Sequence, residues 1–210
     1  MADNTRQWDY IALIKNGFDV LFQDRPDVFV GGDLLWYAQE GNPKERLAPD
    51  TLIAFGRPKG YRGSYKTWAE NGVEPQVVFE VLSPSNTRAE MEKKLLFYER
   101  HGVEEYYEYD PDRGELLAWC RQGDEGLVPV PDVYAWVSPR TGVRFQMDGL
   151  DLILVRPDGR PFLNAIQMDG VAEKAKARAE QERARADTEK ARAERLAEML
   201  RKAGIDPDAA

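Results

Sequence analysis

The sequence predicts a mixed α/β fold, a sheet flanked by helices, followed by a long C-terminal helix. Three observations carry that reading. The run Gln76 to Leu82 (QVVFEVL) is apolar at most positions, as a central strand covered on both faces would be. One short turn leads from it to a helical stretch, Thr87 to His101, and then to a strand-like run, Glu105 to Tyr109. A strand, a crossover helix and a second strand thus stand in series. Finally, from about Asn164 to Lys202 the chain has no proline, one early glycine (Gly170), and abundant Ala, Glu and Arg, which suits an uninterrupted helix.

The elements follow in order. Between Asp9 and Phe22, Ile11, Ile14, Phe18 and Leu21 recur at three- and four-residue steps and predict a helix. Asp27 to Tyr37 (DVFVGGDLLWY) is expected as one strand kinked or bulged at Gly31-Gly32. A turn-rich stretch leads to Asp50 to Phe55, a strand ended by Gly56, and RPKGYRGSYKTWAENGVEP then reads as a basic, aromatic-bearing loop. Ser83-Pro84-Ser85-Asn86 supplies the turn into the crossover helix, and Gly102 ends that helix in the usual place. Beyond Asp110-Pro111, hairpin-like strands are expected at Leu116 to Cys120, Leu127 to Val130 and Leu152 to Val155. The chain therefore divides into an α/β domain, 1–163, and a helix with a short tail, 164–210, in which Gly204 and Pro207 end the helix.

Composition narrows the chemistry. One cysteine, Cys120, and one histidine, His101, leave almost no material for His/Cys zinc sites or for Ser-His-Asp and Cys-His catalysis. Carboxylates and lysines must carry any reaction. A lone cysteine also forms no intramolecular disulfide, so a reducing cytoplasm is the expected compartment, and the polar start MADNTRQWDY lacks the layout of a signal peptide. The net charge is -8, but Val171 to Lys202 holds ten Lys/Arg against seven Asp/Glu, which leaves about -11 on the rest. That balance opposes a polyanionic partner unless metal ions or a local basic patch intervene.

Asp50, after Pro49 at the head of an apolar strand, and Glu80, alone among Val77, Val78, Phe79, Val81 and Leu82, are the candidate site acids. An ionised carboxylate in such a strand costs several kcal/mol, roughly, unless a cation or hydrogen-bond donors offset it. Lys94, Leu95 and Tyr98 share one face of the crossover helix, which can return over Glu80; Lys93 is one step round and is expected in solvent. Two carboxylates on neighbouring strands suit a hard divalent cation, Mg²⁺ or Mn²⁺, and phosphodiester hydrolysis, with the lysine orienting water or neutralising charge. Taken singly the residues have plainer readings: Asp50 as a turn residue, Lys94 as a solvated helix residue, Tyr106 to Tyr109 as strand packing, and His101 as a helix end favoured by the dipole.

Pro49-Asp50, the run Val77 to Ser85, Lys94 four residues before Tyr98, and Gly102-Val103-Glu104-Glu105-Tyr106-Tyr107 before Asp110-Pro111 together resemble the Uma-type endonuclease family. That family lies in the PD-(D/E)XK restriction-endonuclease-like superfamily. Val30 to Tyr37 and Gly56 to Gly60 match as well, and the likeness spans roughly Trp8 to Phe162. The resemblance implies a metal-dependent site acting on DNA, with Asp50 and Glu80 as metal ligands and the Val81 carbonyl as a further one. Where the superfamily has a lysine two residues past the second acid, this chain has Leu82, and the resemblance assigns that ammonium to Lys94. Asp33 is the candidate for the superfamily's early acid. Lys59, Arg62 and Lys66 form the one evident basic patch for weak nucleic-acid contact.

The C-terminal helix reads either as a solvated single helix or as an Ala-rich oligomerisation helix, a coiled coil without the usual Leu/Ile seam, with packing concentrated near Leu196 and Leu200. A homo-oligomer, with a dimer the simplest, is expected on the second reading. Two rivals to the endonuclease stay open: a nuclease-like fold without turnover that acts as a binding or assembly module, and a hydrolase of smaller phosphate esters. Divalent-metal titration set beside a cleavage assay separates them.

Overall fold

The computed structural model describes residues 2–203. In chain order its elements are α1 (Thr5–Leu21), β1 (Val28–Gly32), β2 (Trp36–Tyr37), β3 (Arg46–Leu47), β4 (Thr51–Phe55), β5 (Tyr65–Lys66), β6 (Val77–Val81), α2 (Arg88–Arg100), β7 (Glu105–Asp110), β8 (Glu115–Arg121), β9 (Leu127–Pro129), β10 (Arg144–Asp148), β11 (Asp151–Val155) and α3 (Ala165–Lys202). The main sheet has the order β1-β4-β6-β7-β8-β9. Its pairings are antiparallel except β6 with β7, the pair joined by the α2 crossover. The fold is mixed α/β, as the sequence predicts.

β6 is the hinge of the core, with all five residues buried. Its side chains alternate between two apolar clusters. Val77, Phe79 and Val81 meet Ile11, Ile14 and Phe18 of α1, while Val78 on the other face joins Leu52, Tyr106 and Tyr98 of α2. α1 starts at Thr5, four residues ahead of the periodic apolar stretch, because the Asn4 side chain caps it by accepting the Gln7 N–H at 2.9 Å. α2 has Thr87 as its N-cap and His101 as its C-cap.

Three stretches differ from the sequence reading. Asp27 to Tyr37 does not form a single kinked strand: β1 ends at Gly32, and β2 belongs to a separate small sheet with β3 and β5. The cause lies at Asp33, whose φ of +45° turns the chain out of β pairing while its N–H bonds the Asp50 carbonyl at 3.2 Å. The basic stretch after Gly56 is not wholly a loop, since it contains β5 and a 3₁₀ turn, Thr67–Glu70. β10, which lacks a clear alternation, pairs with β11 as a hairpin.

The chain divides after Asn164 into two compact units. Among the described residues of α3 none is buried; Leu196 is 58% exposed and Leu200 half-buried. Three successive heptads, AEKAKAR, AEQERAR and ADTEKAR, place Ala172, Ala179 and Ala186 in line along it. The helix end expected at Gly204 and Pro207 lies outside the described residues. Among the described residues no helix is long and apolar enough to cross a membrane.

Phe162 closes the first unit: it is 5% exposed and meets Phe18 edge to face at 5.1 Å. A chain ended after Asn164 is therefore expected to melt cooperatively within a few degrees of the full chain. Ending before Phe162 removes a buried aromatic worth about 3–5 kcal/mol and should lower Tm by about 10 °C or more. Calorimetry on the two truncations checks both, and an unfolded 1–164 chain would make α3 part of the core.

Candidate functional site

The β4–β6 register runs Thr51 opposite Phe79, Leu52 opposite Val78 and Ile53 opposite Val77. One step further, Asp50 faces Glu80 across the strand pair, and directly opposed residues project from the same side of a sheet. That side is the one α2 covers. Glu80 is 3% exposed; its Oε2 accepts from Lys94 Nζ at 3.0 Å and its Oε1 from the Tyr98 hydroxyl. Positions 94 and 98 are one helical turn apart, so a single face of α2 delivers both donors. Lys93 is exposed, which is the register expected for the helix.

Asp50 Oδ2 accepts the Val81 N–H at 2.7 Å, while Oδ1 has no hydrogen bond among the described residues. Burial first, then the Glu80 charge, push the Asp50 carboxyl up to about 7 against the opposing Val81 N–H and Lys94; Asp33 adds to the rise. Burial also raises Glu80 above the usual carboxylate range, opposed by Lys94 and Tyr98. For Lys94 burial works against the ammonium, but the charges of Glu80 and Asp50 more than offset it and its pKa rises. Two carboxyls raised by burial thus face one ammonium, in a place poor in water.

The other sequence-predicted residues fare differently. The Val81 carbonyl accepts from Gln7 Nε2 at 2.7 Å, and Gln7 Oε1 in turn accepts the Asp3 N–H at 2.7 Å. Gln7 is buried and was not anticipated as part of this site; its position one turn before Tyr10 and Ile11, on the apolar face of α1, is the signal that marks it. Asp33 is exposed, next to Asp50 through the backbone bond and through charge. The basic patch is mostly committed to internal partners. Lys59 donates to the Phe22 and Gln23 carbonyls at 2.6 and 3.1 Å, beside the end of α1. Arg62 pairs with Glu70 at 2.6 Å and lies 3.9 Å over the Phe29 ring. Lys66 alone of the three is an exposed cation without such a bond.

The donors that face one another, two carboxylates and a backbone carbonyl, are hard oxygens. Among the described residues no group of three or more His, Cys, Asp or Glu side chains could hold a metal ion. A magnesium-type ion needs no such cage, since one or two carboxylates suffice when waters and phosphate oxygens complete its shell. The unbonded Asp50 Oδ1 and the crowding of two buried carboxyls fit that class of ion, and the donor set does not suit thiolate- or imidazole-bound zinc.

Comparison with known proteins gives three findings. A family model described as "Uma2: Putative restriction endonuclease" matches residues 6–146, a span that contains Asp50, Glu80 and Lys94 and stops before α3. No curated protein matches the chain. Among solved structures, a crystal structure described as "a putative nuclease belonging to DUF820", from Anabaena variabilis ATCC 29413, is similar with 13% identity and a TM-score of 0.49, covering 65% of this chain and 73% of that one.

The electrostatics make a stability test possible. Because the folded-state pKa of Asp50 lies above its ordinary value of 3.8, the native state holds a proton that the unfolded chain releases between those two pH values. Stability from this group is thus present at low pH and lost as pH rises towards about 7. Asp50→Asn keeps an oxygen for the Val81 N–H and removes the charge. It should raise Tm relative to the parent, by an increment that is small at pH 4 and grows towards pH 8. A difference in Tm that stays flat across that range would mean Asp50 is not under strain.

Proposed function

This chain belongs to the Uma2 family, and on that premise we propose that it is a metal-dependent endonuclease hydrolysing DNA phosphodiester bonds at Asp50, Glu80 and Lys94. The observation that carries the reading is Glu80, buried near the end of β6, with the Lys94 ammonium on one side and the crowded Asp50 carboxyl facing it. Asp50, Glu80 and the Val81 carbonyl would hold Mg²⁺ or Mn²⁺. Such an ion, when bound, supplies positive charge to a phosphate and to the attacking water.

The chain's own residues do the rest. Tyr98 fixes the Glu80 carboxylate through its hydroxyl, and Gln7 fixes the Val81 carbonyl through its amide. Lys94, whose ammonium donates to Glu80 at 3.0 Å, would be the group to donate to a phosphate oxygen, where charge builds up as the new P–O bond forms and the old one breaks. Asp50, whose carboxyl burial and the Glu80 charge push up to about 7, would have to be ionised to hold such an ion, so its affinity for the cation would depend on pH. The reading includes the cytoplasm as the place of action, and self-association of the chain through α3, supported by its heptads and by Leu196, which is 58% exposed.

One observation favours the rival, a binding or assembly module without turnover. Lys59 and Arg62 are spent on internal bonds, in a first unit that is acidic overall, which opposes a polyanion.

Two measurements separate the readings. Plasmid and short single- and double-stranded DNA should be cut in Mg²⁺ or Mn²⁺, and Glu80→Gln should reduce cutting by about 100-fold or more and abolish the cation-induced rise in Tm. Lys94→Ala should cost a similar factor in rate while keeping that rise. Cation affinity should climb about tenfold per pH unit below 7 and level off above it, with about one proton released near neutrality by calorimetry in two buffers. Specific cation binding with no cleavage of any strand establishes the binding module, and a full cation effect in Glu80→Gln removes the site altogether.

A further inference from the structure

The row of side chains that contains Asp50 and Glu80 continues across the sheet. β6 and β7 run parallel with Glu80 opposite Glu108, and β7 and β8 run antiparallel with Glu108 opposite Leu117. Asp50, Glu80, Glu108 and Leu117 therefore project from one face of four adjacent strands. Lys94 and Tyr98 of α2 cover the first part of the row. Over the second part the face opens into a cavity of about 830 Å³, a size typical of sites for small organic groups.

Leu82, Met91 and Leu95 form one wall of this cavity, and Leu117 and Trp119 the other, with Glu108 between them. The Trp119 indole is held flat by Tyr106, with ring centres 5.1 Å apart and planes 22° from parallel. Glu108 Oε2 accepts from the Tyr106 hydroxyl at 3.0 Å, and its Oε1 has no hydrogen bond among the described residues. Charge decides what such a cavity can take. Arg88 pairs with Glu92 at 3.2 Å, Arg113 with Asp110 at 3.6 Å and Asp112 with Arg6 at 3.8 Å. Glu108 and Glu115 remain, so the lining is acidic and repels phosphate. A neutral, flat ring that donates N–H bonds is the complementary group.

We infer that the cavity is a base subsite: it takes a nucleobase of the strand being cut, set against Trp119, and favours a base whose exocyclic amine donates to Glu108. The inference rests on the endonuclease reading, because only a nucleic-acid substrate brings a base next to the acids. The distances suit it. Glu108 is one strand from Glu80, about 5 Å away across the sheet, which is within the reach of one nucleotide between its phosphate and its base. The base must leave its stack to enter, so the preferred substrate is single-stranded or locally opened DNA.

The test is binding, not turnover. Labelled single strands of all-cytosine, all-adenine or all-thymine DNA are titrated with the full chain in Ca²⁺, which occupies oxygen sites without supporting the reaction well, and followed by fluorescence anisotropy. Cytosine and adenine strands should bind about tenfold more tightly than thymine, which has no exocyclic amine. Glu108→Gln keeps the shape but donates as well as accepts, and should shrink the preference to about twofold or less. Leu117→Trp fills the cavity from a position 42% exposed in the parent, and should lower cytosine and adenine binding to the thymine level. Equal binding of the three strands, or a preference that survives both substitutions, overturns the subsite and leaves cleavage at the acids untouched. Failure to bind any strand, with the cation-induced Tm rise present or absent, removes the subsite together with the endonuclease reading.

Discussion

Glu80 lies near the end of a strand whose five residues are all buried, and its two oxygens are taken by Lys94 and Tyr98 from the helix that follows. Removing one partner from a buried charged pair costs on the order of 3–5 kcal/mol, because the other charge is left without compensation. α2 is therefore not free to rotate or slide on the sheet: a shift of one residue would carry both donors away from the carboxylate. The same contact ties the crossover connection to its strand, since only the short turn Ser83 to Asn86 and the Thr87 cap separate them. The parallel β6–β7 pairing that sets up the row of acids depends on that placement.

Each side of the sheet has its own task. The α1 side is a conventional aromatic core, in which Phe18, Phe79, Tyr107 and Phe145 meet ring to ring. The α2 side mixes apolar packing with ionisable groups and holds all of the candidate site's acids. Gln7 links the two: from the α1 side it bonds the Val81 carbonyl, while the Val81 N–H on the same strand bonds Asp50. A rigid core on one face thus holds the backbone that positions the carboxyl groups on the other, where burial and mutual repulsion would otherwise push them apart.

How much of this was legible in the sequence depended on how local its cause was. β6, α2 and the choice of Lys94 over Lys93 could be read because apolar alternation and helical period are properties of adjacent residues. Glu80 was legible as an exception, a charge in a strand that had no other. Gln7 was not, because its partner is 74 residues away and its own neighbours say only that it is buried. Lys59 and Arg62 look like a basic patch in sequence, yet the α1 terminus, 37 residues from Lys59, and Glu70, across the 3₁₀ turn from Arg62, claim them. The break at Asp33 has a related cause. The adjoining glycines are local, while the left-handed turn is held by a bond to the Asp50 carbonyl, distant in sequence at the start of β4. The heptads of α3, by contrast, were present in the sequence and masked by the scarcity of large apolar residues.

The position two residues past Glu80 shows what the site requires. Side chains alternate along a strand, so residue 82 returns to the α2 face, and a lysine there would point toward the same acids. The chain has Leu82 instead, half-buried at the cavity wall, with its N–H bonded to the Tyr109 carbonyl at 2.8 Å. The ammonium arrives from the helix above, through Lys94 at 3.0 Å from Glu80. What the carboxylates need is a cation at that point in space, and the backbone element that supplies it is secondary. Moving the cation to the helix has a consequence for the neighbouring space. A lysine at 82 would carry its charge and its long stem along the cavity wall, whereas a leucine leaves that wall apolar and keeps the cavity open beside Glu108. A helix-borne ammonium at Glu80 and an apolar Leu82 on the wall of the neighbouring cavity are thus compatible parts of one arrangement.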